Sequence, residues 1–112
     1  MITLDTFKRM VELMEEVEDE LHVFNKTLEK TFGADSTCMY YAPLTIIQDS
    51  LINLLQNEFN ESKEGAEWFV YEGFYQIKNG GTEIKDNNNN KEWHIKTLDD
   101  YYEFLCSLTD TE

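Results

Sequence analysis

Apolar residues recur at steps of three and four over the first third of the chain. They are Leu4, Phe7, Val11, Met14, Val17, Leu21, Phe24, Leu28 and Phe32. This spacing predicts one amphipathic helix, about 43 Å long, that Thr3 caps and Gly33 ends. A strict heptad counted from Leu4 puts Glu18 and Asn25 on the seam. We therefore expect the stripe to drift and the helix to pack in a bundle.

A second helical pattern follows a connector at residues 33–43. Its apolar positions are Leu44, Ile47, Leu51, Leu54, Leu55 and Phe59, and Pro43 suits its first turn. We expect this helix to lie antiparallel to the first. The polar residues 60–65 end it. The aromatic run at 67–75 has an ambiguous period, and we predict a short helix there.

The pattern changes after Gly80 and Gly81. Residues 82–85 and 92–95 predict two short strands around an asparagine-rich turn at 86–90. Thr97 and Asp100 have the spacing of a capping box, which predicts a last helix through Leu98, Tyr101, Leu105 and Leu108. The chain therefore predicts one α+β domain over residues 1–112, mainly α. A long N-terminal helix packs in a three- or four-helix arrangement, with one small β-hairpin near the C-terminus.

The chain is strongly acidic. It has 112 residues, with 23 Asp and Glu against 9 Lys and Arg and a formal net charge of −14. Such a charge repels nucleic acid and anionic membrane surfaces, because both are bound through Lys and Arg. We expect neither as a direct partner. A basic protein that itself binds nucleic acid fits the charge better.

The cysteines and the N-terminus indicate the cellular compartment in which the protein is expected. Cys38 and Cys106 have no spacing typical of a zinc site or a redox pair, so we expect two free thiols. The N-terminus lacks the features of a signal peptide, and no segment has about 18 uninterrupted apolar residues. We expect a cytoplasmic protein.

Groups suited to catalysis are sparse. The histidines are His22 and His94, and the sequence lacks a nucleophile elbow, a phosphate-binding glycine loop and a His-Glu-x-x-His pattern. Asp19 and His22 have the spacing of half a di-iron site, but no second Glu-x-x-His completes it. We predict no enzyme, no catalytic residue and no cofactor.

The asparagine-rich turn partly resembles a calcium loop. Asp86, Asn88 and Asn90 match the first three ligand positions. Lys91 replaces the glycine at the sixth position, however, and Thr97 replaces the glutamate at the twelfth. We therefore predict a plain turn and no metal site.

One run of carboxylates carries functional information. Within nine residues of the first helix stand Glu12, Glu15, Glu16, Glu18, Asp19 and Glu20. They give about one negative charge per 2 Å of helix axis, whereas duplex DNA carries about one per 1.7 Å. A rigid helix with this charge density would compete for the basic groove of a nucleic-acid-binding protein. The ordinary solvated face of an amphipathic helix remains an alternative.

The middle third adds acids and aromatic side chains. Residues 33–75 hold seven acids against one cation, Lys63. The aromatic residues of this segment are either interface anchors or core. The predicted partner-binding residues are Glu12, Glu15, Glu16, Asp19, Glu20, Glu64, Glu67, Trp68, Tyr71 and Glu72.

The C-terminal half combines Glu-Trp-Phe-Val-Tyr-Glu at 67–72, the hairpin that follows, and Ile-Lys-Thr-Leu-Asp-Asp-Tyr-Tyr-Glu-Phe-Leu at 95–105. In these features it resembles a family of small acidic proteins encoded by phages and prophages of Gram-positive bacteria. The resemblance covers about half of the chain, from Leu51 onward. The hairpin departs from the family pattern, because it is asparagine-rich and lacks a glycine-and-lysine turn. The family has no established function, but phages encode small acidic inhibitors of host defence, including anti-CRISPR proteins.

Charge and resemblance lead to one hypothesis. We expect a phage- or prophage-encoded inhibitor that binds a basic nucleic-acid-handling host protein, such as a CRISPR effector, by nucleic-acid mimicry or steric block. The alternative is a small accessory or assembly protein that acts through self-association, which leaves a homodimer open. A third class, an enzyme or a protein that sequesters a small ligand, is not tested by sequence patterns.

Overall fold

The computed structural model describes residues 2–33, 42–86 and 90–109. Over these ranges the chain forms four helices and one two-stranded antiparallel hairpin. The elements are α1 at Leu4–Phe32, α2 at Ala42–Phe59, α3 at Lys63–Lys78, β1 at Thr82–Asp86, β2 at Lys91–Ile95 and α4 at Leu98–Thr109. The predicted α+β, mainly α fold is confirmed. Most of the connector with Cys38, and the centre of the hairpin turn, lie outside the described residues.

Helix α1 begins and ends where the sequence predicts. The Thr3 hydroxyl accepts a hydrogen bond from the Thr6 N–H at 3.2 Å. At the other end Gly33 has a φ of 98°, and its N–H donates to the Glu29 carbonyl at 3.0 Å. Glycine reaches that φ without the Cβ clash that other residues meet, which is why it ends the helix.

The buried residues of α1 are not the same set as the apolar stripe predicted from the sequence. Phe7, Val11 and Met14 are buried, whereas Phe32 is 73% exposed. Asn25, on the heptad seam, is 4% exposed. Asn25 lies 18 residues after Phe7, which is about five full turns at 3.6 residues per turn. It therefore falls on the same face of α1 as the buried Phe7.

Helix α3 is longer than predicted and is not regular. It begins at Lys63 because the Ser62 hydroxyl caps it, accepting from the Gly65 N–H at 3.0 Å. The predicted break at 60–65 thus shrinks to the residues around Asn60, which has a φ of 61°. Inside α3, the turn Phe69–Gly73 is π-helical. This turn accounts for the ambiguous period of the aromatic run, because a π-turn shifts the side chains away from the 3.6-residue repeat.

The core is organised around Phe7. Its ring centroid lies 6.3 Å from that of Phe59 at the end of α2, 6.0 Å from that of Phe69 in α3 and 6.1 Å from that of Tyr101 in α4. Phe69 and Tyr101 stack with a centroid separation of 4.1 Å. The contact between Phe7 and Phe59 brings the start of α1 to the end of α2, in agreement with an antiparallel pair.

The hairpin packs on α4 and leads into it. Ile95 is fully buried, and the Trp93 ring meets the Phe104 ring edge to face at 5.6 Å. The predicted capping box is confirmed, because the Asp100 N–H donates to the Thr97 hydroxyl at 3.2 Å and the Asp100 carboxylate accepts from the Thr97 N–H at 3.1 Å. Each strand is one residue longer than predicted, at Asp86 and Lys91.

The position of Phe7 predicts a large effect of its truncation. Phe7→Ala should lower the free energy of unfolding by about 3–5 kcal/mol, because it leaves a cavity shared by three other helices. Phe32→Ala, the same change at an exposed position of the same helix, should change it by less than about 0.5 kcal/mol. Urea unfolding followed by circular dichroism measures both. Equal losses in the two variants would contradict the central role of Phe7.

Candidate functional site

The predicted acids of α1 lie mainly on its outward face. Glu12, Glu16, Asp19 and Glu20 are exposed, and Glu15 is half-buried. Residues three and four apart on a helix share a face. Glu12, Glu16 and Glu20 fall opposite the buried line of Phe7, Val11 and Met14, whereas Glu15 and Asp19 lie to one side of it. The helix therefore presents a continuous carboxylate surface, which we call the acidic face and define by Glu12, Glu15, Glu16, Asp19 and Glu20.

Two cations compensate part of this surface. Arg9 Nη1 lies 3.2 Å from Glu16 Oε1 and 3.4 Å from Glu12 Oε2. Lys78, at the end of α3, donates a hydrogen bond to Glu15, which raises the pKa of the lysine. Asp19 and Glu20 make no ion pair within residues 2–33, 42–86 and 90–109, although the charge of Asp19 also contributes to the raised pKa of Lys78 after the hydrogen bond to Glu15. Negative charge thus remains in excess on this surface.

Glu18 has a different role from the other acids of the run. Its carboxylate accepts a hydrogen bond from the Tyr75 hydroxyl of α3, and its side chain is 23% exposed. Burial, and then the hydrogen bond to Glu18, raise the pKa of Tyr75. Together with the Lys78 contact to Glu15, this bond fixes the end of α3 against the acidic segment of α1. The acidic face therefore lies on a helix that two side-chain hydrogen bonds connect to α3.

The predicted residues of α3 lie on more than one surface. Glu64 and Glu72 are exposed, and Tyr71 is 48% exposed. Tyr71 and Glu67 line a shallow groove of about 390 Å³ between α2 and α3. Trp68 is half-buried and lines a separate cleft beside the hairpin. The two proposed aromatic anchors therefore do not share a pocket.

Sequence reasoning missed the residues that organise the acidic face. Arg9, Tyr75 and Lys78 carry its contacts, yet none belongs to a motif. Lys78 is one of only 9 basic residues in the chain, which was the available signal. Its proximity to Glu15 depends on tertiary packing between α1 and α3.

The structure gives no indication of metal chemistry in the described ranges. No group of three or more His, Cys, Asp or Glu side chains there is arranged to hold a metal ion. His22 lies instead beside Glu18, with its Nε2 3.9 Å from a carboxylate oxygen. Over the same residues, no helix is both long and apolar enough to cross a membrane.

Comparisons with protein-family models, with curated proteins and with solved structures found no match. The function must therefore be argued from the surface described above.

The bond between Tyr75 and Glu18 yields a prediction that depends on pH. Tyr75→Phe should lower the free energy of unfolding by about 1.5–3 kcal/mol at pH 7, because the half-buried Glu18 loses its hydrogen-bond donor. The folded-state pKa of Tyr75 is raised above its ordinary value of 10.0, so this contribution is full below pH 10 and is lost as the pH rises further. The difference between wild type and variant should shrink accordingly.

Urea unfolding of both proteins across this pH range provides the measurement. Tyr71→Phe is the matched control, since Tyr71 is exposed and lies in a different groove. A difference that stays constant above pH 10 would rule out the proposed bond.

Proposed function

We propose that this protein binds a basic nucleic-acid-handling protein through the acidic face of α1 and thereby blocks access of nucleic acid to that partner. The observation that carries the proposal is the set of carboxylates on the acidic face of one helix, where Asp19 and Glu20 make no ion pair among the described residues. The five acids of this face stand within nine residues and give about one charge per 2.7 Å of helix axis, of the same order as the roughly 1.7 Å per charge of duplex DNA.

Electrostatic steering gives this surface a physical advantage. A net charge of −14 attracts a basic partner over distances of about a Debye length, and the field raises the association rate. Once the surfaces meet, carboxylates take the positions that phosphates occupy in the true ligand. The same net charge disfavours nucleic acid and anionic membranes as direct ligands.

Rigidity adds to the affinity. The hydrogen bonds from Tyr75 to Glu18 and from Lys78 to Glu15 fix α1 against α3 before any partner binds. A preorganised surface loses less conformational entropy on association than a flexible acidic tail does. This difference favours specific recognition of a shaped basic groove over general attraction to cations.

The resemblance to phage and prophage proteins adds a biological setting to the proposal. A phage- or prophage-encoded inhibitor acting in the cytoplasm of a bacterial host fits such a surface, and a CRISPR effector is the most concrete target class. No enzymatic step and no cofactor enter this proposal, because blocking a groove requires binding alone.

Charge reversal on α1 tests the acidic face directly. The triple variant Glu16→Lys, Asp19→Lys and Glu20→Lys should weaken partner binding about a hundredfold, since each reversal changes the interaction by about 1 kcal/mol. Capture of the tagged protein's partner from nuclease-treated bacterial lysate, with salt elution and competition by DNA or RNA, identifies the protein to be measured. Titration calorimetry then gives the affinities.

The matched control is a second triple with the same change in net charge. Glu29→Lys, Glu92→Lys and Glu103→Lys alter exposed acids outside the acidic face and should weaken binding by less than about tenfold. Equal losses in the two triples would show that only net charge matters, and would remove the acidic face as the contact. Circular dichroism verifies that both variants fold.

One observation supports self-association as a second candidate function. Val23, Phe24, Phe32 and Ile46 are between 47% and 73% exposed, and all lie in the last third of α1 or the start of α2. Exposed apolar side chains can mark an interface between copies. The net charge of −14 opposes such contacts, which is why this function stands second.

Self-association predicts an oligomer that persists at high salt. Phe32→Ala combined with Ile46→Ser should dissociate it, whereas Tyr71→Ser, at an exposed aromatic on another surface, should not. Sedimentation velocity over a range of concentrations measures the state. A wild-type protein that stays monomeric at every concentration and salt would eliminate this function.

A further inference from the structure

A cleft of about 680 Å³ opens between the start of α3, strand β1 and helix α4. Trp68 and Phe104 give it aromatic surface. Its charged lining consists of the carboxylates of Glu61, Glu83 and Asp86 and the ammonium of Lys85, so negative charge is in excess. The partner-binding residues predicted from the sequence include only Trp68 from this set. The cleft is distinct from the acidic face, since none of its lining residues belongs to α1.

Glu61 is held by Ser62, the N-cap residue of α3. One of its carboxylate oxygens accepts from the Ser62 N–H at 2.7 Å and from the Ser62 hydroxyl at 3.3 Å. A Cβ on Gly65 would lie 2.5 Å from this same oxygen. Glycine weakens a helix relative to alanine, so its presence in the first turn of α3 is explained by the space that the carboxylate occupies.

A second glycine of α3 makes room for Trp68. Its ring covers Gly73, where a Cβ would lie 2.7 Å from two ring carbons. Gly73 ends the π-helical turn that begins at Phe69, and such turns are frequent at functional sites. Two glycines of one helix therefore each accommodate a side chain that lines the cleft.

The electrostatics of the cleft favour a cation. Burial raises the pKa of Glu61, the hydrogen bonds from Ser62 oppose this increase, and the charge of Asp86 adds to it. The Tyr101 hydroxyl is buried with no hydrogen-bond partner among the described residues, and its pKa is raised by burial and then by the charge of Glu61. A positive group beside Glu61 and Asp86 would relieve the repulsion between the two carboxylates.

We propose that this cleft binds an arginine side chain of the basic partner, with the guanidinium against Trp68 and in contact with Glu61 and Asp86. A guanidinium is planar, stacks on aromatic rings and forms forked hydrogen bonds with carboxylates, whereas an ammonium does not. This inference rests on the proposed function, because the partner supplies the arginine. The acidic face then provides attraction, and the cleft fixes the register of the complex.

Tryptophan fluorescence tests the cleft without any partner. The chain has two tryptophans, so Trp93→Phe leaves Trp68 as the sole reporter. The probe is the blocked peptide Gly-Gly-Arg-Gly-Gly, compared with the same peptide carrying neutral citrulline. We expect a saturable change in Trp68 emission with the arginine peptide and binding about tenfold weaker with citrulline. Equal binding of both peptides, or none, overturns the proposal.

Two variants in this background test the carboxylate. Glu61→Gln removes the charge, and Gly65→Ala keeps the charge but displaces the side chain. Both should weaken arginine-peptide binding about tenfold, whereas Glu103→Gln, at an exposed glutamate of α4 outside the cleft, should leave it unchanged. Circular dichroism verifies folding, and if one variant does not fold, the other decides. Unchanged affinity in the folded variant overturns the proposal.

Further measurements identify the kind of cation that the cleft binds. They also test the cleft and the proposed function independently of each other. Spermine that binds the cleft more tightly than the arginine peptide would make it a polyamine site and overturn the assignment. With an identified partner, Glu61→Gln should weaken the complex about tenfold; an affinity lost only in the α1 triple would overturn the cleft and leave the acidic face in place. If the protein binds the arginine peptide but no basic partner, the proposed function is overturned and the binding of arginine in the cleft is not.

Discussion

The contact of Phe7 with the aromatic rings of the other three helices is the interaction on which the fold depends. Phe59 of α2, Phe69 of α3 and Tyr101 of α4 each approach this one side chain. Because all four helices meet there, loss of any one ring exposes surface on the others. A protein of 112 residues buries a limited apolar area, and concentrating it in an aromatic cluster offsets the self-repulsion of a strongly acidic chain.

Charge and packing are separated in space. The buried face of α1 begins with Phe7 and points to the core, while its carboxylates point outward. Glu18 is the exception: it lies on the heptad seam and is accommodated by the Tyr75 hydroxyl. A half-buried carboxylate without a donor is costly, so this bond makes an acidic residue compatible with the interface between α1 and α3. The same bond aligns the outward acids of the run.

Helix α3 combines structural irregularity with the features proposed for recognition. Its π-turn and its two glycines lower its intrinsic helical stability. Glu61 and Trp68 occupy the space that these glycines leave open. Local deviations from the best helical sequence are expected where a site is built. In the proposed complex, the acidic face provides attraction and the cleft fixes the register.

The sequence by itself determined the elements whose signals are local. The 3.6-residue repeat, the Thr3 and Gly33 caps and the Thr97 capping box predicted α1 and α4, and the Asn-rich turn predicted the hairpin, because each depends on neighbours in the chain. The outward placement of the α1 acids followed from the same repeat. Tertiary structure alone decided the rest: the pairing of Glu18 with Tyr75 and the separation of Trp68 from Tyr71. These features depend on the packing of helices distant in sequence and on a π-turn, neither of which leaves a periodic signal.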